Sequence, residues 1–569
     1  MLYYFVIYST LTELGLLNKS YGGFFMNSLV LLLLGAILFL IAYTTYGAFL
    51  AKAWGIDPSR KTPAHTMRDD IDYCPSNANV LLGHHFSSIA GAGPITGPIQ
   101  AAIFGWLPVY LWIVVGSIFF GGVHDWGALF ASVRHKGNSI GEIIRENLGQ
   151  KAKMLFNIYA WLTIVLIVAA FTDICAGTFA FDPANGDLTG ARAGTASVLF
   201  IILAMAFGYL VYRKGARLSV ASVIGVALLF LCIYLGYTFP VIKLSKMGWN
   251  VILIIYICAA STLPVWLLLQ PRDYLCSYLL YAMLIGGFLG VIIVRPDMVI
   301  NASNGFTVAS GNSTSYLFPM LFVTVACGAI SGFHSLVGSG TSSKQVDNEK
   351  DTKLIGYGGM LIEGLVAILA LISIGAFQGA SGTPAAIFSS GIATLMSSFG
   401  IPVEVGKVFV ILAFSAFALT SLDTATRIGR YVFQEFFDKP DGTATKSAGS
   451  NMYVATLVTV GASCVLLMYG YTKIWPIFGS ANQLLAGLAL LAVTVWLANS
   501  GRNYKMTMIP MIFMFAVTLC ALLLLIKNFF GAGNVLLGVV AILLFLLAIV
   551  LIYTASTIMK NRKSKDLSA

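Results

Sequence analysis

The sequence is dominated by apolar windows of about twenty residues or more, and this length limits what the chain can fold into. A helix of that length crosses about 30 Å of hydrocarbon at 1.5 Å per residue. Only 10% of the 569 residues are charged, too few to coat soluble domains. A β-barrel would show short segments of alternating polarity, which the sequence lacks. We therefore predict an all-α polytopic membrane protein with about 15 transmembrane helices.

Fifteen apolar windows follow one another along the chain. They cover residues 27–50, 81–103, 106–133, 154–178, 195–213, 218–238, 249–270, 273–294, 316–338, 354–377, 401–428, 452–470, 474–498, 504–527 and 534–558. The windows at 81–103, 316–338 and 474–498 are less uniformly apolar than the others. The predicted divisions are an N-terminal extension, a first span with a cytoplasmic loop, a transporter core, and two C-terminal spans with a basic tail: 1–25, 26–80, 81–498 and 499–569.

The distribution of cations predicts the orientation of the chain. When the side that follows the first span is cytoplasmic, only eight of the 34 Lys and Arg residues lie on the opposite side. This asymmetry follows the positive-inside rule and places the C-terminus in the cytoplasm. The net charge of +11 is spread over short loops, so it predicts no nucleic-acid partner. The opposite side carries loops rich in Gly, Ser, Asn and Thr at 179–194, 295–315 and 378–400.

The chain lacks the short patterns of the common enzyme and metal sites. HExxH and P-loop sequences are absent, and the eight cysteines contain no CxxC pair. We therefore predict no enzymatic activity, no metal and no cofactor, and the oligomeric state stays open. Secondary transport is favoured over an intramembrane metalloenzyme, a channel or a membrane-embedded nutrient sensor. A sensor would need a larger output region than the eleven residues after the last window.

Two windows are interrupted by Gly, Pro, Ser and His. The stretch His84–Pro98 contains three glycines and two prolines, and Ala326–Thr341 is rich in Gly and Ser. Either stretch alone is compatible with a kinked, closely packed helix. Two broken spans far apart in the chain indicate an inverted-repeat transporter. Counting five elements from each break predicts repeats over 81–238 and 316–498, with the two spans between them inserted.

A third polar segment, Thr420–Arg427, closes the window at 401–428. Its hydroxyl groups could coordinate a cation together with carbonyl groups freed by the first break, or bond back to their own helix. Asp423 and Arg427 are four residues apart and could pair with each other.

Ionisable groups inside the windows are functional candidates, because an unpaired charge in hydrocarbon costs several kcal/mol. These groups are His84, His85, His124, Asp125, Asp173, His334, Glu363 and Asp423. Glu363 lies well inside its window, so it must face the bundle or a cavity. It is either a proton carrier or a structural ion-pair partner.

Several stretches match a known family in the family's order. They are Pro63-Ala64-His65, Asp70-Ile71-Asp72-Tyr73, His85–Pro94, Asp125–Phe130, Leu263–Leu275, Ser331–Thr341, Leu422–Arg427 and Trp475–Gln483. Through them the chain resembles the carbon starvation protein A family of bacterial inner-membrane transporters, from about residue 27 to 500. The resemblance implies a peptide transporter used when carbon is scarce, although some relatives resemble proton-coupled pyruvate importers. It also implies the five-plus-five fold of amino-acid/cation symporters.

The two breaks and the polar segments together define the predicted site. We expect a carboxylate-bearing substrate, a peptide or pyruvate, to bind near the midplane at half-helix N-termini. The predicted substrate-binding residues are His85, Ser88, Gly91, Gly93, Pro94, Thr96, Gly328, Ser331, His334 and Ser335. The predicted coupling residues, for H⁺ or Na⁺, are Asp125, Glu363, Thr420, Ser421, Asp423 and Thr424. If Na⁺ is the coupling ion, Thr420, Ser421 and Thr424 would hold it.

Overall fold

The computed structural model describes residues 17–20, 23–69, 73–184, 186–264, 267–310, 313–377, 379, 381–437 and 447–566. Residues 1–16 of the predicted extension, the family-matching residues 70–72 and 265–266, and residues 567–569 of the tail lie outside this description. Helices dominate the described residues. Two antiparallel hairpins join β1 (Leu17–Ser20) to β2 (Gly23–Met26) and β3 (Thr307–Ser310) to β4 (Ser313–Tyr316). The predicted all-α polytopic class is confirmed.

The first half of the chain contains thirteen of the α-helices described here. They are α1 (Ser28–Thr44), α2 (Tyr46–Trp54), α3 (Pro63–Thr66), α4 (Ala78–Ile89), α5 (Gly93–Ala101), α6 (Trp106–Gly116), α7 (Gly122–Arg134), α8 (Ile140–Leu148), α9 (Gln150–Phe179), α10 (Thr189–Gly208), α11 (Leu218–Thr238), α12 (Lys246–Thr262) and α13 (Leu269–Val294). Short 3₁₀ or π-helical turns lie at Ala102–Phe104, Ser117–Gly121 and Tyr209–Arg213.

The second half continues with helices on either side of the second break. They are α14 (Leu317–Thr324), α15 (Ala326–Ala329), α16 (Gly332–Gly340), α17 (Gly359–Gly375), α18 (Pro384–Ser397), α19 (Val403–Glu435), α20 (Met452–Leu467), α21 (Tyr471–Asn499), α22 (Lys505–Gly531) and α23 (Val535–Asp566). Short 3₁₀ or π-helical turns lie at Ser342–Lys344, Lys353–Gly358 and Ala448–Ser450.

Eleven of the predicted windows contain helices that are long and apolar enough to cross a membrane. The windows at 81–103 and 316–338 are the two broken helices. The windows at 249–270 and 452–470 contain the shorter helices α12 and α20, of 17 and 16 residues. The window at 474–498, which has a less uniform sequence, is one continuous helix with Pro476 inside it.

One helix was missed by the sequence analysis. α18 lies within 378–400, which was predicted as an outer loop. Thr383 accepts a hydrogen bond from the backbone N–H of Ala386, and Pro384 occupies the first turn. Both residues are helix-start signals, so the sequence did contain evidence for this helix.

The packing of the helices bears on the predicted repeat. α13 packs against α4, α18 and α19, whereas α21 packs against the second broken helix, α8 and α9. α13 and α21 thus have corresponding neighbours in the two halves of the chain. The helices α10, α12 and α20 each contact both α9 and α19, so these contacts do not distinguish α10 from α12. The repeats over 81–238 and 316–498 stay a prediction.

The central helices are almost entirely enclosed. In the most apolar window of α19 and of α21, 89% of the residues are buried, against 22% for α11. Lipid-facing positions on α11 carry exposed Val223, Ile224 and Tyr234. The bundle interior therefore contains α9, α19, α21 and the two broken helices, and the functional side chains lie among them.

Candidate functional site

The first broken helix separates α4 from α5 by three residues. α4 ends at Ile89, and α5 begins at Gly93 with Pro94 in its first turn. Ala92 occupies the N-cap position and makes no side-chain hydrogen bond to the first turn. The first N–H groups of a helix have no partner within the helix, so α5 presents uncapped donors at the break. This end of α5 can accept an anionic group.

The second broken helix places another helix start beside the first break. α15 ends at Ala329, and α16 begins at Gly332. Asn482 on α21 accepts a hydrogen bond from the backbone N–H of Phe333 at 2.9 Å and donates one to Ser331 Oγ at 2.9 Å. Asn482 therefore caps α16 from a distant helix. The sequence analysis placed this residue in a family stretch but did not assign it to the site.

A small cavity lies between the two breaks. Backbone and side chains of both broken helices, α9, α19 and α21 enclose it. The lining residues are Ile89, Gly91, Gly93, Ile167, Phe171, Cys327, Ser331, Phe333, Ser421, Phe478 and Asn482. Predicted residues Gly91, Gly93, Ser331 and Ser421 are therefore brought together here.

The cavity has an aromatic wall on one side. Phe171 and Phe478 meet edge to face with ring centroids 5.9 Å apart, and Trp475 packs on Phe478 at 5.1 Å. The polar groups Ser331 and Ser421 belong to other elements, whereas Asn482 lies on α21 about one turn after Phe478. An apolar cavity with a few directed polar groups is typical of small-molecule sites.

Other predicted binding residues serve the broken helices themselves. Ser88 donates its hydroxyl hydrogen to the carbonyl of His84, and Ser335 donates to the carbonyl of Gly332. Gly328 accepts a hydrogen bond from Ser117 Oγ at 3.2 Å. Pro94 and Thr96 are buried within α5. These residues support the break and do not line the cavity.

His85 makes a different contact from the one predicted. Its Nδ1 lies 2.8 Å from Ser342 Oγ in the turn after α16. The side chain is buried and does not line the cavity. His85 thus connects α4 to the C-terminal end of the second broken helix.

A buried acid–histidine cluster joins α7, α16 and α17. Asp125 Oδ2 lies 2.8 Å from His334 Nδ1, and Asp125 Oδ1 lies 2.6 Å from His124 Nδ1. Glu363 Oε2 lies 3.4 Å from His334 Nε2 on the opposite side of the ring. Neither carboxylate oxygen of Glu363 has a hydrogen-bond partner among the described residues. His334 therefore lies between two carboxylates, all fully enclosed.

A second buried cluster is centred on Arg272 of α13. Its guanidinium is paired with Asp423 of α19 and also bonds the Tyr256 hydroxyl. Arg272 NH2 donates to Thr420 Oγ1 at 2.9 Å and lies 3.5 Å from Asp273 Oδ1.

Arg272 was missed as a site residue because the predicted windows ended at 270 and resumed at 273. The helix α13 in fact begins at Leu269, so Arg272 lies inside the helix.

The predicted contact between Asp423 and Arg427 is not formed. Asp423 pairs with Arg272 instead and accepts a hydrogen bond from Tyr256 at 2.8 Å. Arg427 donates to the backbone carbonyls of Ala260 and Leu263 at the end of α12. Ser421 donates to the carbonyl of Ser88 at 3.2 Å, and Thr424 lies one turn further along α19.

Among the described residues, no group of three or more His, Cys, Asp and Glu side chains is arranged to hold a metal ion. The charged groups of the interior instead face one another or a hydroxyl group, as in the two clusters above.

Comparisons with known proteins agree on one family. A family model described as carbon starvation protein CstA matches residues 27–381 and 376–521. The Peptide transporter CstA of Escherichia coli (strain K12) is 32% identical, over 91% of this chain and 84% of that protein. The Peptide transporter CstA of Bacillus subtilis (strain 168) is 31% identical, over 93% of this chain and 96% of that protein.

Two further likenesses complete the comparison. The Pyruvate/proton symporter BtsT of Escherichia coli (strain K12) is 31% identical, over 88% of this chain and 82% of that protein. The crystal structure of an Eremococcus coleocola manganese transporter in complex with an aromatic bis-isothiourea compound matches with a TM-score of 0.47 and 13% identity. That match covers 87% of this chain and 99% of the other. A score at this level does not establish a shared fold.

Proposed function

Because the chain belongs to the carbon starvation protein CstA family, we propose that it is a secondary transporter that imports peptides across the bacterial inner membrane when carbon is scarce. The relatives named Peptide transporter CstA support this substrate class. The bias of Lys and Arg toward one side supports a cytoplasmic C-terminus. The core over 81–498 would carry the transport cycle, with the spans outside it as flanking elements.

The observation that carries the proposal is the cavity between the two broken helices. The uncapped start of α5 faces it, and Ser331, Ser421 and Asn482 add polar groups. Free backbone N–H groups at a helix start bind carboxylates, which every peptide carries at its C-terminus. The aromatic wall of Phe171 and Phe478 suits an apolar part of the substrate.

Pyruvate import is the second candidate. One relative bears the name Pyruvate/proton symporter BtsT. Pyruvate offers the same carboxylate to α5 and a small apolar methyl group to the aromatic wall.

Proton coupling is supported by the Asp125–His334–Glu363 cluster. Imidazole and carboxyl groups exchange protons readily, and His334 touches both acids. His334 lies on α16, the helix that begins at the second break beside the cavity. A rearrangement of α16 upon substrate binding would alter its contacts with both acids. This links binding to the protonation of the cluster.

Substrate protection of the purified protein tests the recognition of a carboxylate. A dipeptide or pyruvate should raise the thermal unfolding temperature, whereas the same dipeptide with an amidated C-terminus should not. Equal stabilisation by the free and amidated dipeptides would contradict carboxylate binding at α5. A tight ligand without any uptake in vesicles would instead favour a nutrient sensor.

A further inference from the structure

The Arg272 cluster places a guanidinium group, a cation bound covalently to the chain, where the sequence predicted a free Na⁺ ion. Thr420, Ser421 and Thr424 were expected to hold Na⁺ with carbonyl groups from the first break. In the structure, Thr420 Oγ1 accepts a hydrogen bond from Arg272 NH2 at 2.9 Å. The Ser421 hydroxyl, one residue further on, contacts the carbonyl of Ser88 in α4. The guanidinium group therefore contacts the Thr420 hydroxyl at the position where Na⁺ was expected.

Two acidic side chains lie beside this position, and the Arg272 guanidinium is the cation that contacts both. Asp423 accepts from Arg272 and from Tyr256, and Asp273 lies 3.5 Å from the same guanidinium. Arg272, Asp273 and Asp423 are each at most 1% exposed. His84 of α4 completes the surroundings, with Nδ1 3.8 Å from Asp273 Oδ2. Thus α12 and α19 contact the Arg272 guanidinium of α13 directly, and α4 borders the cluster through the contact between His84 and Asp273.

Structural stability alone does not explain these charges. A buried ion pair gains little over well-packed apolar side chains of similar volume, because desolvation offsets the attraction. Ionisable groups retained inside a membrane are therefore functional candidates. The position also lies near the carbonyl end of α4, where the helix dipole favours a positive charge.

We propose that the Arg272 guanidinium is a tethered cation that occupies the ion site between α4, α13 and α19, so that transport needs no Na⁺. This inference rests on the proposed transport function. It predicts that removal of the guanidinium leaves a site for a small free monovalent cation. That site consists of Asp423, Asp273 and Thr420 around the space of the missing side chain.

Chemical rescue of Arg272→Ala tests this directly. The variant and the wild type are reconstituted in vesicles without Na⁺, and pyruvate and dipeptide uptake is driven by a pH gradient. We expect uptake by the variant to fall about tenfold or more, a typical size for a coupling effect. Guanidinium chloride at a non-denaturing concentration should restore it several-fold. Urea, which has a similar shape without charge, and choline chloride at matched ionic strength should not.

The conservative variant adds a second readout. Arg272→Lys keeps a positive charge and should retain more uptake than Arg272→Gln, although Lys lacks the planar fork that reaches Thr420 and Asp423 together. Equal loss in Arg272→Lys and Arg272→Gln, or restoration by urea as well as guanidinium, would overturn the tethered cation. A wild-type protein whose uptake requires Na⁺ would also overturn it.

A measurement without transport separates this inference from the proposed function. The thermal unfolding temperature of purified Arg272→Ala should rise with guanidinium or Na⁺, because a ligand that binds only the folded state stabilises it. Urea and choline should give no rise, and neither should any of these additives with the wild type. If Arg272→Ala does not fold, Arg272→Gln takes its place. If a folded variant shows no ion-specific stabilisation, the inference is overturned. If the wild type shows no uptake, only the proposed transport function is contradicted.

Discussion

His334 on α16 lies 2.8 Å from Asp125 on α7, measured between Nδ1 and Oδ2, and this contact connects the second broken helix to the span that follows the first. The other ring nitrogen of His334 faces Glu363 on α17. A movement of α16 therefore changes the distance between one histidine and two acids. This arrangement supplies the proposed connection between the substrate cavity and proton transfer.

Glu363→Gln should uncouple transport from the proton gradient. The amide keeps the shape of the side chain but removes a carboxylate beside His334. We expect uptake driven by a pH gradient to fall about tenfold, while exchange of labelled for unlabelled substrate continues. Uptake and exchange in vesicles measure the two separately. Glu404→Gln is the control, since the Glu404 side chain is 61% exposed in the first turn of α19. Unchanged uphill uptake in Glu363→Gln would contradict the role of this acid.

Two variants of Asn482 should distinguish its role as a helix cap from its role in substrate binding. Asn482→Ala removes the acceptor for the Phe333 N–H and should cost about 1 kcal/mol of stability. Asn482→Asp keeps an acceptor but places a negative charge at the cavity, so it should be more stable than the alanine variant. The same charge should raise the KM for a carboxylate substrate about tenfold through repulsion. Thermal unfolding and concentration-dependent uptake distinguish these effects, and an unaltered KM in Asn482→Asp would place the carboxylate elsewhere.

Gly332 should tolerate no side chain, because α16 and α21 approach closely there. A Cβ at Gly332 would lie 2.5 Å from the backbone nitrogen of Ala486 and would also collide with the backbone oxygen of Asn482. Gly332→Ala should therefore destabilise the protein by about 1–3 kcal/mol. Gly340, at the end of the same helix, is the matched control, since a Cβ there meets nothing within 4 Å. Equal unfolding temperatures for the two alanine variants would show that this close approach is not required.

Glu349 should hold the loop between α16 and α17 in place. Its two oxygens lie 2.8 Å and 2.5 Å from Arg134 Nε and NH2, and the backbone N–H of Asp57 donates to it at 2.8 Å. Glu349→Ala leaves a largely enclosed arginine unpaired and should cost about 3 kcal/mol. The more exposed pair of His65 and Asp347 supplies the control, because Asp347→Ala should cost less than about 1 kcal/mol. Similar losses of stability in both variants would contradict this difference.

The sequence predicted the broken helices well, because Gly and Pro interrupt a spanning helix only where protein or a cavity satisfies the backbone. Gly91, Gly93 and Ser331 line the central cavity as a result. Asp125 and His334 were identified as ionisable groups in apolar windows, although their direct contact was not.

Contacts between distant helices limited the prediction. Asn482 caps a helix about 150 residues earlier in the chain, a relation with no local sequence signal. Arg272 was placed in a loop because it falls, with Pro271, in the two-residue gap between the windows 249–270 and 273–294. The boundaries of the repeat depend on the same kind of contact. Counting spans alone cannot decide whether α10 and α11 or α12 and α13 belong to the first set.

Uptake into vesicles that contain only this protein tests the central claim, that the cavity between the breaks serves proton-coupled import of carboxylate substrates. Labelled dipeptide and labelled pyruvate are offered under an inward pH gradient and, separately, under an inward Na⁺ gradient. The account predicts saturable accumulation of at least one substrate under the pH gradient and none that depends on Na⁺. Accumulation of neither substrate under any gradient, or flux that neither saturates nor responds to protons, would contradict it.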